Sequence, residues 1–373
     1  MPGRRLRIGV LFGGRSGEHE VSLQSARAVM AALSEAGHEV MPIGITPQGR
    51  WLVSGDPMRA LSSGRIADEH LATMLPEPGH TGLMSLHAPE NGLERASVAE
   101  LDVVFPVLHG TYGEDGTVQG LFELASVPYV GSGVLGSALG MDKAVQKTLW
   151  RGLGLPVVDF LSVLRRDADL EATLDRIERE LGFPCFVKPA NLGSSVGVSK
   201  AHDRPELELA LDEAARYDSK LLVERGVDAR ELEVAVLGNH DPQASVVGEI
   251  VPSAEFYSYR AKYLDEGSQA IIPAQVPAET SAEVQRLAIT AFKAVDAAGL
   301  ARVDFFLERG TGRLYLNEIN TMPGFTEISM YPKLWQASGL TFAQLVARLV
   351  ELAEERFAER SRNETSYQPG GGG

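Results

Sequence analysis

The sequence predicts an α/β protein that opens on a doubly wound parallel sheet, and three observations carry that expectation. Residues 7–12 (RIGVLF) form a short apolar run of strand character. A glycine-rich turn at 13–17 leads into residues 18–37, where Val21, Leu23, Ala28, Val29 and Leu33 recur at helical spacing. A second strand pattern, 39–45, begins directly after Gly37, a residue suited to closing a helix. Strand, turn, helix and strand in that order are the first unit of a parallel sheet. The chain has 373 residues, 44% of them hydrophobic, which at about 100–200 residues per domain suggests two or three domains with sizeable cores.

The remaining elements follow in order. Residues 46–98, richer in Gly, Pro and His, read as peripheral insertions. Residues 101–108 and 127–130 are further buried strands, so a first domain is assigned to 1–140. A middle segment, 141–222, holds a helix at 143–153, a strand at 159–164, a helix at 169–181 and strands around 186–189 and 196–200. The last part opens at 220–224, is assigned to 223–362, and is strand-rich until the helices after Tyr331. The tail 363–373 has the composition of disorder. No internal repeat of fixed period occurs.

Composition excludes some classes of function. With 35 Lys+Arg against 50 Asp+Glu the formal net charge is −15, which argues against general nucleic-acid or anionic-membrane binding. A few local cations still suffice for a phosphate ligand. The single cysteine, Cys185, lies in an apolar run and reads as a small buried hydrophobe. It rules out a disulfide within the chain and fits a reducing cytoplasm. The N-terminus resembles a secretion signal, but its apolar run is short and no small-residue cleavage site follows. No stretch approaches the roughly 18 apolar residues of a membrane span.

Two glycine loops compete for a phosphate. Gly131, Gly133 and Gly136 spell G-x-G-x-x-G after the strand at 127–130, with Asp159 at dinucleotide-binding distance. Such a fingerprint usually closes the first strand of its sheet, whereas several strands precede this one, and small residues also fill such turns for packing alone. There is no Walker A motif. The stronger candidate is 188–197, KPANLGSSVG, in which Lys188 ends an apolar strand and a Gly/Ser turn follows. Backbone N–H groups and hydroxyls there can wrap phosphate oxygens while the lysine supplies charge. The alternative is an ordinary hairpin with a surface lysine, less expected directly after the apolar run 183–187.

Residues 301–307 and 313–319 are two strand patterns joined by a hairpin signal at 308–312. Arg302 and Asp304 share a face, as do Glu318 and Asn320. A three-residue loop at 310–312 sets Asp304 opposite Glu318, to within one residue. Two carboxylates and an amide oxygen are hard donors of the kind Mg²⁺ prefers, with nucleotide phosphates and water completing the octahedron. Arg302 beside them can hold a phosphoryl group or an oxyanion. A solvated polar face is the competing reading, weakened by Val303, Phe305, Phe306, Leu314, Leu316 and Ile319 around it. The turn at Gly324 can present backbone N–H groups. Glu18 opens the first helix, where its carboxylate either offsets the helix dipole or receives a substrate ammonium; spacing favours neither. The Tyr/Lys-rich segment 255–264 is, with equal weight, a lid over phosphates or a plain surface loop.

Together these segments resemble the D-alanine–D-alanine ligases of the ATP-grasp superfamily. The matching stretches are GGRSGEHEVS at 13–22, LHGTYGEDGTVQG at 108–120, PYVGSG at 128–133, MDK at 141–143, VKPANLGSSVGVSK at 187–200, AKYL at 261–264, ARVDFF at 301–306 and NEINTMPGFTEISMYP at 317–332. They run in order from residue 7 to about 352. The resemblance implies three α/β domains with ATP gripped between the central and C-terminal ones. It implies phosphate contacts from Lys143, Lys188 and Lys262, with Ser194 and Ser195 in a closing loop. Glu224, Arg225 and Val227 match the hinge that receives adenine, Glu231 the acidic residue near the ribose, and Phe306 and Asn317 further nucleotide contacts. Asp304, Glu318 and Asn320 match the ligands of two Mg²⁺ ions, with Mn²⁺ as a substitute.

The resemblance also turns Glu18 to the ammonium of a first D-alanine, supported by Ser194 and Tyr263, with His109 in the same pocket. Arg302 and the Gly324 backbone would stabilise a tetrahedral intermediate, and Ser329 and Met330 would hold the second D-alanine's carboxylate. The implied reaction passes through an acyl phosphate, releases ADP and phosphate, and yields D-alanyl-D-alanine for peptidoglycan synthesis. A homodimer is implied as well. The nearest alternative is a D-alanine–D-lactate ligase, against which the Lys262–Tyr263 pair speaks. A nucleotide-binding homologue without ligase activity, and more remotely an NAD oxidoreductase, are the others.

Overall fold

A computed structural model describes residues 4–66, 71–78, 82–87, 94–166, 169–194, 196–252 and 269–366. Strand β1 (Arg7–Gly13) is the penultimate strand of a seven-stranded sheet, parallel to β2 (Glu39–Ile45) on one side and to the edge strand β7 (Val103–Pro106) on the other. A strand covered on both faces must be apolar on both, which is why residues 8–12 read as an unbroken run. Ile8, Val10 and Phe12 pack on helix α1 (His19–Glu35) and on the later helix Phe342–Arg360. Leu11 packs with Phe122 of helix α3 on the other face, α3 being Thr117–Ala125.

Two expectations for this region need correction. Residues 46–98 are not peripheral: β3 (Trp51–Leu52), β4 (Leu71–Met74), β5 (Gly82–His87) and β6 (Glu94–Glu100) continue the same sheet as an antiparallel meander beyond β2, with helix α2 (Pro57–Ser63) between β3 and β4. Pro47 falls in the turn before β3 and Gly55 in the bend after it. Residues 127–130 are not a ladder strand; they meet β7 through one bridge, Val104 to Tyr129, and run on towards helix α4 (Val134–Met141). Their apolar side chains are buried all the same, which produced the strand pattern.

Helix α5 (Lys143–Gly152), capped by Asp142, leads into a four-stranded antiparallel sheet. It is built from β8 (Phe160–Leu164), β9 (Cys185–Pro189), β10 (Ser199–Ala201) and β11 (Lys220–Arg225), in the order β10-β9-β11-β8. Helices α6 (Leu170–Glu180) and α7 (Arg204–Ala215) cover one face. The apolar triplet Leu221–Val223 announced a strand without saying which sheet would take it. Because β11 lies between β8 and β9, this sheet extends past residue 222. Cys185 is fully buried in this core, and burial pushes its thiol up to about 11, as befits a packing residue.

The last sheet is five-stranded and antiparallel, in the order β14-β13-β12-β15-β16, from β12 (Ala229–Gly238), β13 (Gln243–Val251), β14 (Gln269–Ile271), β15 (Gly299–Glu308) and β16 (Leu314–Asn320). One face packs on the helix Ala278–Ala294. Near its other end, Phe325, Tyr331 and Trp335 join the core of the first sheet, so the two ends of the chain share one apolar cluster.

The glycines at 131 and 136 serve this packing. A Cβ on Gly136 would sit 2.4 Å from the carbonyl oxygen of Asp296, and one on Gly299 would sit 3.2 Å from the Gly131 backbone. The G-x-G-x-x-G spacing therefore marks a close backbone crossing.

Candidate active site

The β15–β16 hairpin pairs Arg302 with Asn320 and Asp304 with Glu318, the register expected from the loop length. One step further Phe305 pairs with Leu316, leaving Asn317 as the extra residue of a bulge. Before the bulge Leu316 points into the core; after it Ile319 does. The shift in parity lets Asn317, Glu318 and Asn320 all face the cleft, a re-aiming that a regular strand cannot give. Arg302, Asp304 and Phe306 share that face from β15, and Glu231 and Glu233 extend it from β12, where Glu233 lies opposite Asp304.

Arg302 is clamped. It donates through Nε and Nη2 to both oxygens of Asp304 at 2.7 Å each, and its Nε lies 3.1 Å from Glu233. Burial alone would lower its pKa, but Asp304 and Glu233 outweigh that and hold it well above the usual guanidinium range. Asn320 donates to Asp304 at 3.2 Å. Among the described residues no three His, Cys, Asp or Glu side chains converge on one point. Asp304, Glu318 and the Asn320 amide oxygen are hard donors that fit a divalent cation only with further oxygens, such as phosphates, completing the shell.

A second cluster forms across the N-terminal sheet. Glu18 is the residue that caps α1, yet its side chain accepts no hydrogen bond from the helix backbone. Its carboxylate instead accepts from the Ser194 hydroxyl, in the loop after β9. Two glycines make room: a Cβ on Gly193 would lie 2.7 Å from Glu18 Oε2, and one on Gly110 would lie 3.0 Å from it. His109 is buried, with Nδ1 donating to the Met322 carbonyl at 2.9 Å and Nε2 3.2 Å from the Ser25 hydroxyl. Burial lowers its pKa, which keeps the ring neutral in that network. Ser25 in turn accepts from the Phe325 N–H at 3.2 Å. Glu114 accepts from the Gly110 and Met322 N–H groups at 2.6 and 3.0 Å. Burial, reinforced by Glu18, pushes its carboxyl up to about 8.

The third cluster is cationic. Lys143 donates to the Leu192 carbonyl at 2.8 Å and lies 3.3 Å from Glu318. Lys188 pairs with Glu224, whose other oxygen lies 2.6 Å from the fully buried Lys147. Burial opposes the charge on Lys188, but Glu224 and Glu318 prevail and its pKa is raised. Burial opposes the charge on Glu224 too, and the two lysines prevail there, so it stays ionised below the usual range.

These clusters line two adjoining cavities. One, of about 380 Å³, is walled by Glu18, His109, Arg302, Asn320, Gly324, Ser329 and Met330. The other, of about 680 Å³, lies between the four- and five-stranded sheets and is walled by Lys188, Glu224, Arg225, Val227, Glu231, Phe306 and Asn317. Lys143, Ser194 and Glu318 border both. Asp304 lines neither; it sits behind Arg302. The Asn317 side-chain oxygen is buried without a hydrogen-bond partner beside the larger cavity, an acceptor awaiting a donor. Ser195, Lys262 and Tyr263, with the expected lid at 255–264, lie outside the described residues.

Sequence reasoning passed over Glu114, Lys147 and Glu233. Each had a signal: Glu114 lies in the 108–120 stretch, Lys147 stands one helical turn after Lys143, and Glu233 shares the strand parity of Glu231. Among the described residues no helix is long and apolar enough to cross a membrane.

Comparison with known proteins agrees with this geometry. Residues 7–132 match the family model described as D-ala D-ala ligase N-terminus, and residues 149–351 match the one described as D-ala D-ala ligase C-terminus. A D-alanine–D-alanine ligase from Heliobacterium modesticaldum is 51% identical over 364 residues, covering 97% of this chain and 98% of that protein. One from Thermoanaerobacter sp. strain X514 is 52% identical, covering 95% and 98%. Among solved structures, the D-alanine-D-alanine ligase from Coxiella burnetii superposes with a TM-score of 0.81 at 38% identity, covering 96% of this chain and 97% of that one. The VanG D-Ala:D-Ser ligase from Enterococcus faecalis gives 0.82 at 36% identity, covering 94% and 100%. The chain belongs to the D-alanine–D-alanine ligase family.

Proposed function

We propose that this chain joins two D-alanine molecules into D-alanyl-D-alanine, using ATP to activate the first carboxylate as an acyl phosphate. The observation that carries the reading is the meeting of the two cavities at Lys143, Ser194 and Glu318. A nucleotide in the larger cavity and an amino acid in the smaller one would bring a γ-phosphate and a carboxylate to that junction. Lys143 and Lys188 would neutralise the phosphates, with Ser194, Ser195 and Lys262 around them. Glu224, Arg225 and Val227 would receive adenine, Glu231 the ribose, and Phe306 and Asn317 would complete the nucleotide wall.

Glu18 would hold the first ammonium, with Ser194 and Tyr263 fixing its carboxylate. His109, tied to the Met322 carbonyl, shapes this pocket while staying neutral. The second D-alanine would place its carboxylate at Ser329 and Met330 and its amine towards the acyl group. Arg302 and the Gly324 N–H would stabilise the oxyanion as that amine attacks. Asp304, Glu318 and Asn320 would hold two Mg²⁺, or Mn²⁺, which supply charge neutralisation for phosphoryl transfer. The chain's own contribution is orientation and the exclusion of water. We place the enzyme in the cytoplasm, as a homodimer, with no nucleic-acid or membrane partner.

The test is ADP release with Mg-ATP and D-alanine, followed by product analysis with D-serine and D-lactate offered as competitors. Release that requires D-alanine, with the dipeptide as main product, supports the proposal. Preferential formation of D-Ala-D-Ser, the product class named for the VanG relative, or of the D-lactate depsipeptide, defeats the choice of second substrate. ATP binding without D-alanine-dependent turnover defeats the activity.

A further inference from the structure

Lys147 lines neither cavity, yet among the described residues it is a fully buried cation beside the larger one. Its side chain is fully buried, and its ammonium lies 2.6 Å from Glu224 on β11 and donates to the Leu316 carbonyl on β16 at 3.4 Å. One amine thus touches both sheets that enclose the larger cavity. Neighbouring Gln146 reinforces the link by accepting from the Ile319 N–H at 3.2 Å. Lys143, one turn earlier on the same face of α5, reaches the cavity rim instead.

We infer that Lys147 is a positioning residue that fixes the Glu224 carboxylate and so lets Lys188 pass from Glu224 to the nucleotide phosphates. The inference rests on the nucleotide reading of the larger cavity. As the structure stands, Glu224 faces two ammonium groups, Lys147 and Lys188. If Lys188 turns to a phosphate, a 4% exposed carboxylate would be stranded unless another cation remained beside it. Lys147 cannot follow Lys188, because it is enclosed and held by Leu316 as well. It therefore keeps Glu224 ionised, in place, and available to whatever the hinge binds. Without Lys147, Lys188 becomes the sole counter-ion of Glu224 and stays locked to it.

The experiment is direct binding of Mg-ATP by calorimetry, alongside steady-state kinetics, for wild type, Lys147→Met, Glu224→Gln and the double variant. Lys147→Met is expected to weaken ATP binding about tenfold or more, with the KM for D-alanine within about twofold of wild type. The double variant is expected to bind ATP no worse than Glu224→Gln alone, because Lys147 acts through Glu224. It removes both charges of the Lys147–Glu224 pair together and leaves Lys188 facing Glu318, so it carries the test even if Lys147→Met fails to fold. Unchanged ATP affinity in Lys147→Met, an equal rise in the KM for both substrates, or additive losses in the double variant would each overturn the inference. Failure of the wild type to bind Mg-ATP would instead overturn the nucleotide reading on which it rests.

Discussion

Ser25 on α1 is the hinge pin of a buried network, and Ser25→Ala should show how much that network contributes. Its hydroxyl accepts from the Phe325 N–H and lies in hydrogen-bond contact with His109 Nε2. Since His109 Nδ1 must donate to the Met322 carbonyl, Nε2 is the acceptor and Ser25 the donor. Alanine leaves two groups without partners, at residues only 0% and 3% exposed. One stranded buried group costs about 1–3 kcal/mol, and the small gap left by a hydroxyl offers little room for a replacement water. With partial relaxation the loss comes to about 2–4 kcal/mol, or a melting midpoint roughly 5–10 °C lower for cores of this size. The 321–326 loop, tied to α1 through these hydrogen bonds, should loosen too, raising the KM for D-alanine more than that for ATP. Differential scanning calorimetry and steady-state kinetics check both halves. A midpoint within about 1 °C of wild type would refute the energetic reasoning.

Three further predictions follow from the geometry. Gly136→Ala should destabilise by about 1–3 kcal/mol, because its Cβ meets the Asp296 backbone at 2.4 Å, whereas Gly120→Ala, in a helix with nothing within 4 Å, should be neutral or slightly stabilising; thermal melts of both test the crossing. Glu114, with a folded pKa of about 8 against an ordinary 4.5, keeps a proton that the unfolded chain has lost, so stability falls as pH rises between those values. Chemical denaturation across that window should give a flatter profile for Glu114→Gln than for wild type, and an unchanged slope would contradict it. Asp304→Asn removes one carboxylate from the candidate cation site and weakens the clamp on Arg302; ADP release should fall by about 10²–10³ in kcat, with a higher Mg²⁺ concentration needed for half-maximal rate.

Much of this arrangement was legible in the chain. The Asp304–Glu318 pairing followed from strand parity and loop length, because both depend on a period of two. The choice between helix capping and ligand binding for Glu18 did not follow, since spacing cannot say where a carboxylate points; the structure turns it away from its own helix towards Ser194. The bulge at Asn317 was also invisible, as it depends on how the Leu316 and Ile319 side chains seat in the core. Lys147 escaped notice because a lysine in a helix normally reaches solvent. Its burial is a consequence of two sheets closing around it, which no local pattern records. Residues 46–98 misled for the opposite reason: turn-rich composition looks peripheral even when each short strand extends a sheet.

The central claim is that a phosphoryl group passes to a D-alanine carboxylate before the peptide bond forms. D-alanine labelled with ¹⁸O in its carboxylate tests it most directly. The account predicts that the inorganic phosphate released with ADP carries one labelled oxygen per turnover, detected by mass spectrometry. Unlabelled phosphate, or AMP and pyrophosphate in place of ADP and phosphate, would contradict it.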